Sequence, residues 1–204
     1  PYSVRDDLWR FDGRSWQPLG AAGPSPRSRA VMAPLGSDVI LFGGADAAGV
    51  ALGDTWRWNG LAWSPVITSS APSPRRSAAL APSNGAAQLL LFGGEQTAAV
   101  FGDTWLFNGV QWVQQATTAA PSARVNHALG YDQARNRAVL FGGYGAGSWF
   151  ADTWEWNGTS WNQVQAATPP AVVDPSMDFD SQRGRLILGG RRYTGTFAAT
   201  YQQF

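Results

Sequence analysis

The chain contains no cysteine and no lysine, a single histidine and only 14% charged residues. Without thiols, disulfides, zinc-thiolate centres and thiol nucleophiles are excluded, and the compartment is left open. One histidine, His127, gives a histidine-rich metal site or a Ser-His-Asp arrangement a single candidate member. All 15 basic residues are arginines, placed singly or in pairs, and the net charge is +1. No basic run of the kind that tracks a phosphate backbone is present, so nucleic acid is not an expected partner. No stretch of about 20 apolar residues exists to span a bilayer as a helix, so membrane insertion is not expected either.

What is present is turn formers and indoles: Gly 24, Pro 13 and Trp 11 among 204 residues. With 44% hydrophobic residues the chain lies far from the composition of disordered proteins. Many turns and many aromatics point to short strands.

The strands repeat. Leu41-Phe42-Gly43-Gly44, Leu91-Phe92-Gly93-Gly94 and Leu140-Phe141-Gly142-Gly143 recur, with Ile187-Leu188-Gly189-Gly190 as a weaker copy, at spacings of 50, 49 and 47 residues. Downstream stand Asp54-Thr55-Trp56, Asp103-Thr104-Trp105 and Asp152-Thr153-Trp154. Asp7-Leu8-Trp9 is an early relative and Ala199-Thr200-Tyr201 a degenerate late one. A fixed period of this length means stacked structural units that cannot bury their apolar faces alone.

Each apolar run before a Gly-Gly reads as a strand covered on both faces. Trp56-Arg57-Trp58 and its counterparts alternate, which places aromatics on one face. Asn59-Gly60, Asn108-Gly109, Asn157-Gly158 and Asp12-Gly13 predict hairpins. Taken as two-residue turns, they set Trp56 opposite Trp63, Trp105 opposite Trp112, Trp154 opposite Trp161 and Trp9 opposite Trp16. Most of these indoles are expected to pack between neighbouring units rather than to bind sugar.

A third element precedes each apolar strand: Pro24-Ser25-Pro26-Arg27, Pro72-Ser73-Pro74-Arg75 and Pro121-Ser122-Ala123-Arg124. In the last repeat Pro170-Ala171-Val172-Val173 stands there without an arginine. The order Pro-x-x-Arg, apolar strand, Gly-Gly, Asp-Thr-Trp, Asn-Gly, Trp resembles the kelch repeat, most closely its bacterial variants, over nearly the whole chain. The resemblance implies an all-β, kelch-type β-propeller of four-stranded antiparallel blades around a channel, four to five blades in this chain. The chain is then one domain, 1–204, with a partial unit at 1–20, units at 21–68, 69–117 and 118–166, and a partial unit at 167–204. Either the first two strands of the last partial unit pair with the first partial unit in one four-blade ring, leaving Phe197 to Phe204 as a surplus strand or tail, or the chain is part of a larger propeller whose remaining blades lie outside it or in a partner chain, and self-association becomes possible.

Chemistry is thinly signalled. Asp54, Asp103 and Asp152 recur in every complete unit, which suggests turn or loop anchors rather than unique acids or bases. Among kelch enzymes, the copper radical oxidases need a cysteine and several histidines, and the iron-dependent specifier proteins a Glu/Asp/His cluster, neither of which is found here. Sialic-acid mutarotases carry fewer diagnostic residues and stay open as an enzymatic alternative. The resemblance implies that the arginine before each first strand points to the channel mouth. Arg27, Arg75 and Arg124 are therefore candidate ligand-binding residues for an acidic group. Pairing of each with an Asp or a carbonyl is the competing reading. Tyr144 and Trp149, in a glycine-flanked loop outside the repeat pattern, are candidates for stacking on a ring. The expectation is a non-catalytic module that binds a protein, peptide or glycan on this loop face, with no cofactor and no metal.

Overall fold

The computed structural model describes residues 7–20, 22–167 and 169–193, and within them the chain is all β. A hairpin, β1 (Leu8–Phe11) and β2 (Trp16–Leu19), comes first. Three four-stranded antiparallel blades follow. Blade 1 holds β3 (Val31–Leu35), β4 (Asp38–Phe42), β5 (Thr55–Trp58) and β6 (Trp63–Pro65). Blade 2 begins with β7 (Ala79–Ser83) and β8 (Gln88–Phe92). A small loop hairpin, β9 (Glu95–Gln96) and β10 (Ala99–Val100), interrupts it before β11 (Thr104–Phe107) and β12 (Trp112–Gln115) complete the sheet. Blade 3 repeats this plan with β13 (Ala128–Asp132), β14 (Arg137–Phe141), the loop hairpin β15 (Tyr144–Gly145) and β16 (Ser148–Trp149), then β17 (Thr153–Trp156) and β18 (Trp161–Gln163). A long hairpin, β19 (Val172–Asp180) and β20 (Arg185–Arg192), closes the described chain.

The architecture is thus three whole blades flanked by two half-blades. Ala199-Thr200-Tyr201, read above as a late strand, lies outside the described residues. Among the described residues β1–β2 and β19–β20 are separate two-stranded sheets, and no ladder joins them into a closing blade.

Blades stack because the middle strands are apolar on both faces. In β8, Leu89 and Leu91 enter a core with Ile40, Phe42, Phe107 and Trp112 from blades 1 and 2. Leu90 and Phe92, pointing the other way, enter a second core with Tyr131, Leu140, Trp156 and Trp161 from blades 2 and 3. Period-2 alternation therefore serves two interfaces at once. The indole of Trp112 lies on Phe42 of the preceding blade, centroids 5.1 Å apart, and donates Nε1–H to Thr55 Oγ1 at 2.9 Å. Trp161 does the same to Phe92 and Thr104, at 5.4 and 2.9 Å.

The hairpin register differs from the sequence expectation by two residues. Trp58 faces Trp63, Phe107 faces Trp112, Trp156 faces Trp161 and Phe11 faces Trp16. The reason is the asparagine, which does not take positive φ in a two-residue turn. Its side chain instead caps a four-residue loop, Asn59 Oδ1 accepting the N–H groups of Leu61 and Ala62. Asn108, Asn157 and Asp12 act alike. Because the shift is even, every aromatic keeps its intended face.

The Gly-Gly pairs are dictated by the next blade. Gly93 has φ +68°, and a Cβ there would stand 2.5 Å from the Arg124 carbonyl oxygen, while the Gly94 N–H donates to that same oxygen at 2.9 Å. Replacing Gly93 by alanine combines a left-handed backbone penalty with a backbone clash, and should cost about 2–5 kcal/mol in urea unfolding. Gly60→Ala, also at positive φ but with nothing near its Cβ, should cost about 1 kcal/mol. Equal losses at the two sites would contradict this packing.

Candidate functional site

The strand at the start of each blade is innermost, and the segment leading into it meets the loop between the second and third strands. Isolated bridges Ser28↔Ala45, Arg76↔Glu95 and Val125↔Tyr144 bring these pieces together in each whole blade. Clamp arginines and loop hairpins therefore share one end of the stack.

The three arginines expected to meet a ligand do not face one. Arg75 donates from Nη1 and Nη2 to the Asp103 carboxylate at 2.6 and 2.9 Å, and from Nη1 to the Gly93 carbonyl at 3.0 Å. Its Nε donates to the Ser73 carbonyl at 3.0 Å. Phe101 lies under the guanidinium, 4.1 Å from carbon to ring centroid. Arg124 repeats every contact with Asp152, Gly142, Ser122 and Phe150. Arg27 repeats the polar ones with Asp54, Gly43 and Ser25. The Arg75 and Arg124 side chains are wholly enclosed and that of Arg27 nearly so. A guanidinium enclosed in this way, with its fork on a carboxylate, has no open edge for a ligand, so the competing reading, pairing with the repeat aspartate, describes the structure.

Each aspartate also accepts a tryptophan N–H, from Trp56, Trp105 and Trp154 at 2.6–2.7 Å. Burial alone would raise these carboxyl pKa values, but the arginine and indole hydrogen bonds and the arginine charge outweigh it and hold all three below the ordinary range. In the fourth unit Val172 occupies the arginine's place, one residue earlier than the motif suggested. Val173 bridges to Arg191, and Asp174 carries the positive φ found two residues after each arginine.

Those positive-φ positions are what sequence reasoning passed over. Arg29, Ser77, Asn126 and Asp174 have φ of 55, 55, 53 and 48°. Ser77 N–H donates to the Arg29 carbonyl at 3.2 Å and Asn126 N–H to the Ser77 carbonyl at 3.3 Å, so the backbone steps from blade to blade around the mouth. Arg29, Asn126 and Asp174 are exposed. Non-glycine residues held in this region cluster where a fold presents side chains for use. Beside them Glu95 accepts Arg76 Nε at 3.0 Å and lies 3.7 Å from Arg29 Nη1. The signal available in the sequence was the constant two-residue offset from each arginine, occupied by a different polar residue every time.

Tyr144 and Trp149 lie on the β15–β16 loop hairpin of blade 3. They pair across the β15–β16 hairpin with ring centroids 5.3 Å apart, and Trp149 continues to Tyr193 at 6.2 Å. Tyr144 is exposed, and the Trp149 indole N–H is buried without an acceptor among the described residues. No group of three or more potential metal ligands assembles among the described residues.

No protein-family model matches the sequence, and no curated protein is significantly similar to it. Solved structures do match. One, entitled "Structure of YjhT", superposes with a TM-score of 0.72 at 16% identity over 93% of this chain and 68% of its own. At that identity the likeness speaks to fold alone, and the fold is an all-β propeller of kelch type.

His127 stands where blades 1 and 2 carry Ala30 and Ala78, as shown by the equivalent contacts of these three residues with Gly44, Gly94 and Gly143. Its ring is buried against Phe92, and neither nitrogen has a partner in hydrogen-bonding geometry. Burial first, then the nearby Arg124 charge, lower its pKa to about 3. The unfolded chain takes up this proton near pH 6.5, the folded one only near pH 3, so stability should fall as pH drops through that window, by at most about 1.4 kcal/mol per unit. The aspartate contribution is lost only below about pH 3.8, the ordinary value. Urea unfolding between pH 7 and 4 should show a shallower pH dependence in His127→Ala, and an unchanged slope would contradict the assignment.

Proposed function

We propose that the protein is a non-catalytic binding module that takes a protein, peptide or glycan on the loop face around the channel mouth. The observation that carries this reading is the contrast between two sets of positions on one face. The clamp positions repeat and are sealed, whereas Arg29, Ser77, Asn126 and Asp174 differ from blade to blade at the rim, three of them exposed. Constant residues build the scaffold and variable ones at a fixed address suit recognition. Tyr144 and Trp149 add an aromatic surface for stacking on a sugar ring or a peptide side chain. For the enzymatic alternative, the one histidine is buried with its pKa held near 3, so it is not available at the mouth as a general acid or base.

An array of glycans and acidic peptides, probed with the native protein, Trp149→Ala and Arg29→Ala, tests the reading. Hits should weaken at least about tenfold in Trp149→Ala, a loss of about 1.4 kcal/mol, and shift in pattern in Arg29→Ala, with the fold of each retained by circular dichroism. Hits indifferent to both substitutions, or none at all, would remove the proposed site.

A further inference from the structure

The two seams between whole blades are built alike with one exception. In each, a glycine of the earlier blade donates its N–H to the carbonyl of the next blade's clamp arginine, Gly44 to Arg75 and Gly94 to Arg124, both at 2.9 Å. The arginine's own N–H returns to the loop of the earlier blade, from Arg75 to the Leu52 carbonyl at 3.0 Å and from Arg124 to that of Phe101 at 3.1 Å. Two residues on, Ser77 donates to the Arg29 carbonyl at 3.2 Å and Asn126 to that of Ser77 at 3.3 Å. Each seam also sets a phenylalanine of the earlier blade against a tryptophan of the next, Phe42 with Trp112 and Phe92 with Trp161. The exception is the third residue after the arginine. It is Ala78 in the seam between blades 1 and 2, and His127 in the seam between blades 2 and 3.

The imidazole is wedged into its seam without being bound there. Its Cε1 lies 2.8 Å from the place of a Gly93 Cβ, and its ring stands nearly perpendicular to that of Phe92 with centroids 5.7 Å apart. The residue is 6% exposed, and both ring nitrogens are buried with no hydrogen-bond partner among the described residues. A neutral imidazole carries one donor and one acceptor, so closing this seam strips water from two polar groups and returns nothing to them. The charges acting on the ring are those of Arg124, which opposes a proton, and Asp152, which favours one. Blade 2 faces it with the Phe92 ring, the Phe92 carbonyl, which also favours a proton, and Gly93. Burial outweighs the two favourable contributions. An imidazolium is therefore unstable in the closed seam near neutral pH and becomes stable once the seam parts and water reaches the ring.

We propose that the seam between blades 2 and 3 is an acid-sensitive joint: on acidification it opens locally as His127 takes a proton from solvent, while the seam between blades 1 and 2, with alanine in that place, stays shut. The joint lies beside the aromatic loop hairpin. Val125, two residues before His127, exchanges both N–H···O bonds with Tyr144 at 2.9 Å, so the strand entry that parts is the one from which Tyr144 and Trp149 hang. The joint exists whether or not that hairpin binds a ligand. In the open seam the ring takes up its proton near the ordinary pH 6.5 and in the closed seam only near 3, so opening is favoured progressively as pH falls below 6.5. Between pH 7 and 4.5 the open population should rise about 70-fold.

Backbone amide exchange followed by NMR, corrected for the pH dependence of the intrinsic rate, tests this within one molecule. From pH 7 to 4.5 the protection of the Gly94 and Asn126 amides should fall about 70-fold relative to Gly44 and Ser77, which make the same bonds in the other seam. In His127→Ala, which installs the residue of that other seam, and in the neutral His127→Gln, the four amides should keep their relative protection across the same range. With one histidine in the chain the ring resonance is unambiguous, and it should not titrate near pH 6.5 while the protein is folded. A native protection ratio indifferent to pH, a change in that ratio that survives the substitutions, or a ring that titrates near pH 6.5 in the folded protein would overturn the inference.

Discussion

A buried guanidinium bound fork to fork with a carboxylate organises this molecule. Arg75 sits at the entry to the first strand of its blade, Gly93 at the exit of the second and Asp103 at the entry of the third, and one side chain binds all three. Its backbone carbonyl meanwhile accepts the Gly44 N–H of the preceding blade at 2.9 Å. A single residue thus fixes strand order within a blade and spacing between blades. Removing two charges from water is costly, and the cost is offset because four of the guanidinium's five N–H groups find acceptors and the ring of Phe101 covers one face. Such a constellation tolerates no ligand and little substitution, which is why it recurs nearly unchanged in blades 1 to 3.

Given that frame, the other recurrent features follow from contact. Gly43 and Gly93 must lack a Cβ because the next blade's arginine carbonyl would stand 2.5 Å from it, while Gly44, Gly94 and Gly143 are crowded by the strand entry of their own blade. The fourth-strand tryptophan must be large and must carry an N–H, because it spans the gap to the previous blade and finds a threonine hydroxyl there. Where the frame runs out, so does the burial, and the first half-blade exposes Phe11 and Trp16, whose counterparts in blades 2 and 3 are sealed.

The repeat, the strand boundaries and the two-sided burial of the middle strands were legible because they depend on residue type at fixed spacing. The hairpin register was misjudged, since Asn-Gly encodes two different turns. Nothing local in Asn59-Gly60 tells a two-residue turn from an asparagine-capped loop of four. The arginines were read two ways because a sequence shows a donor without its acceptor. A clue was present in the recurrence of arginine with aspartate 27, 28 and 28 residues later, a spacing shared by all three whole blades. The rim formed by Arg29, Ser77, Asn126 and Asp174 was harder to see, because only a fixed offset from the arginine position and a shared backbone conformation unite four dissimilar residues. Function on such a scaffold resides in what varies between blades, and variation is what a search for repeats discards.

The claim that these arginines hold the blade together and bind nothing else is tested by a double-mutant cycle on Arg75→Met and Asp103→Asn followed by urea unfolding. Each single change should cost about 3–5 kcal/mol, and the pair together clearly less than the sum, because the second change removes the buried charge stranded by the first. Additive losses, or an Arg75→Met protein as stable as the native one but unable to bind ligand, would contradict the account.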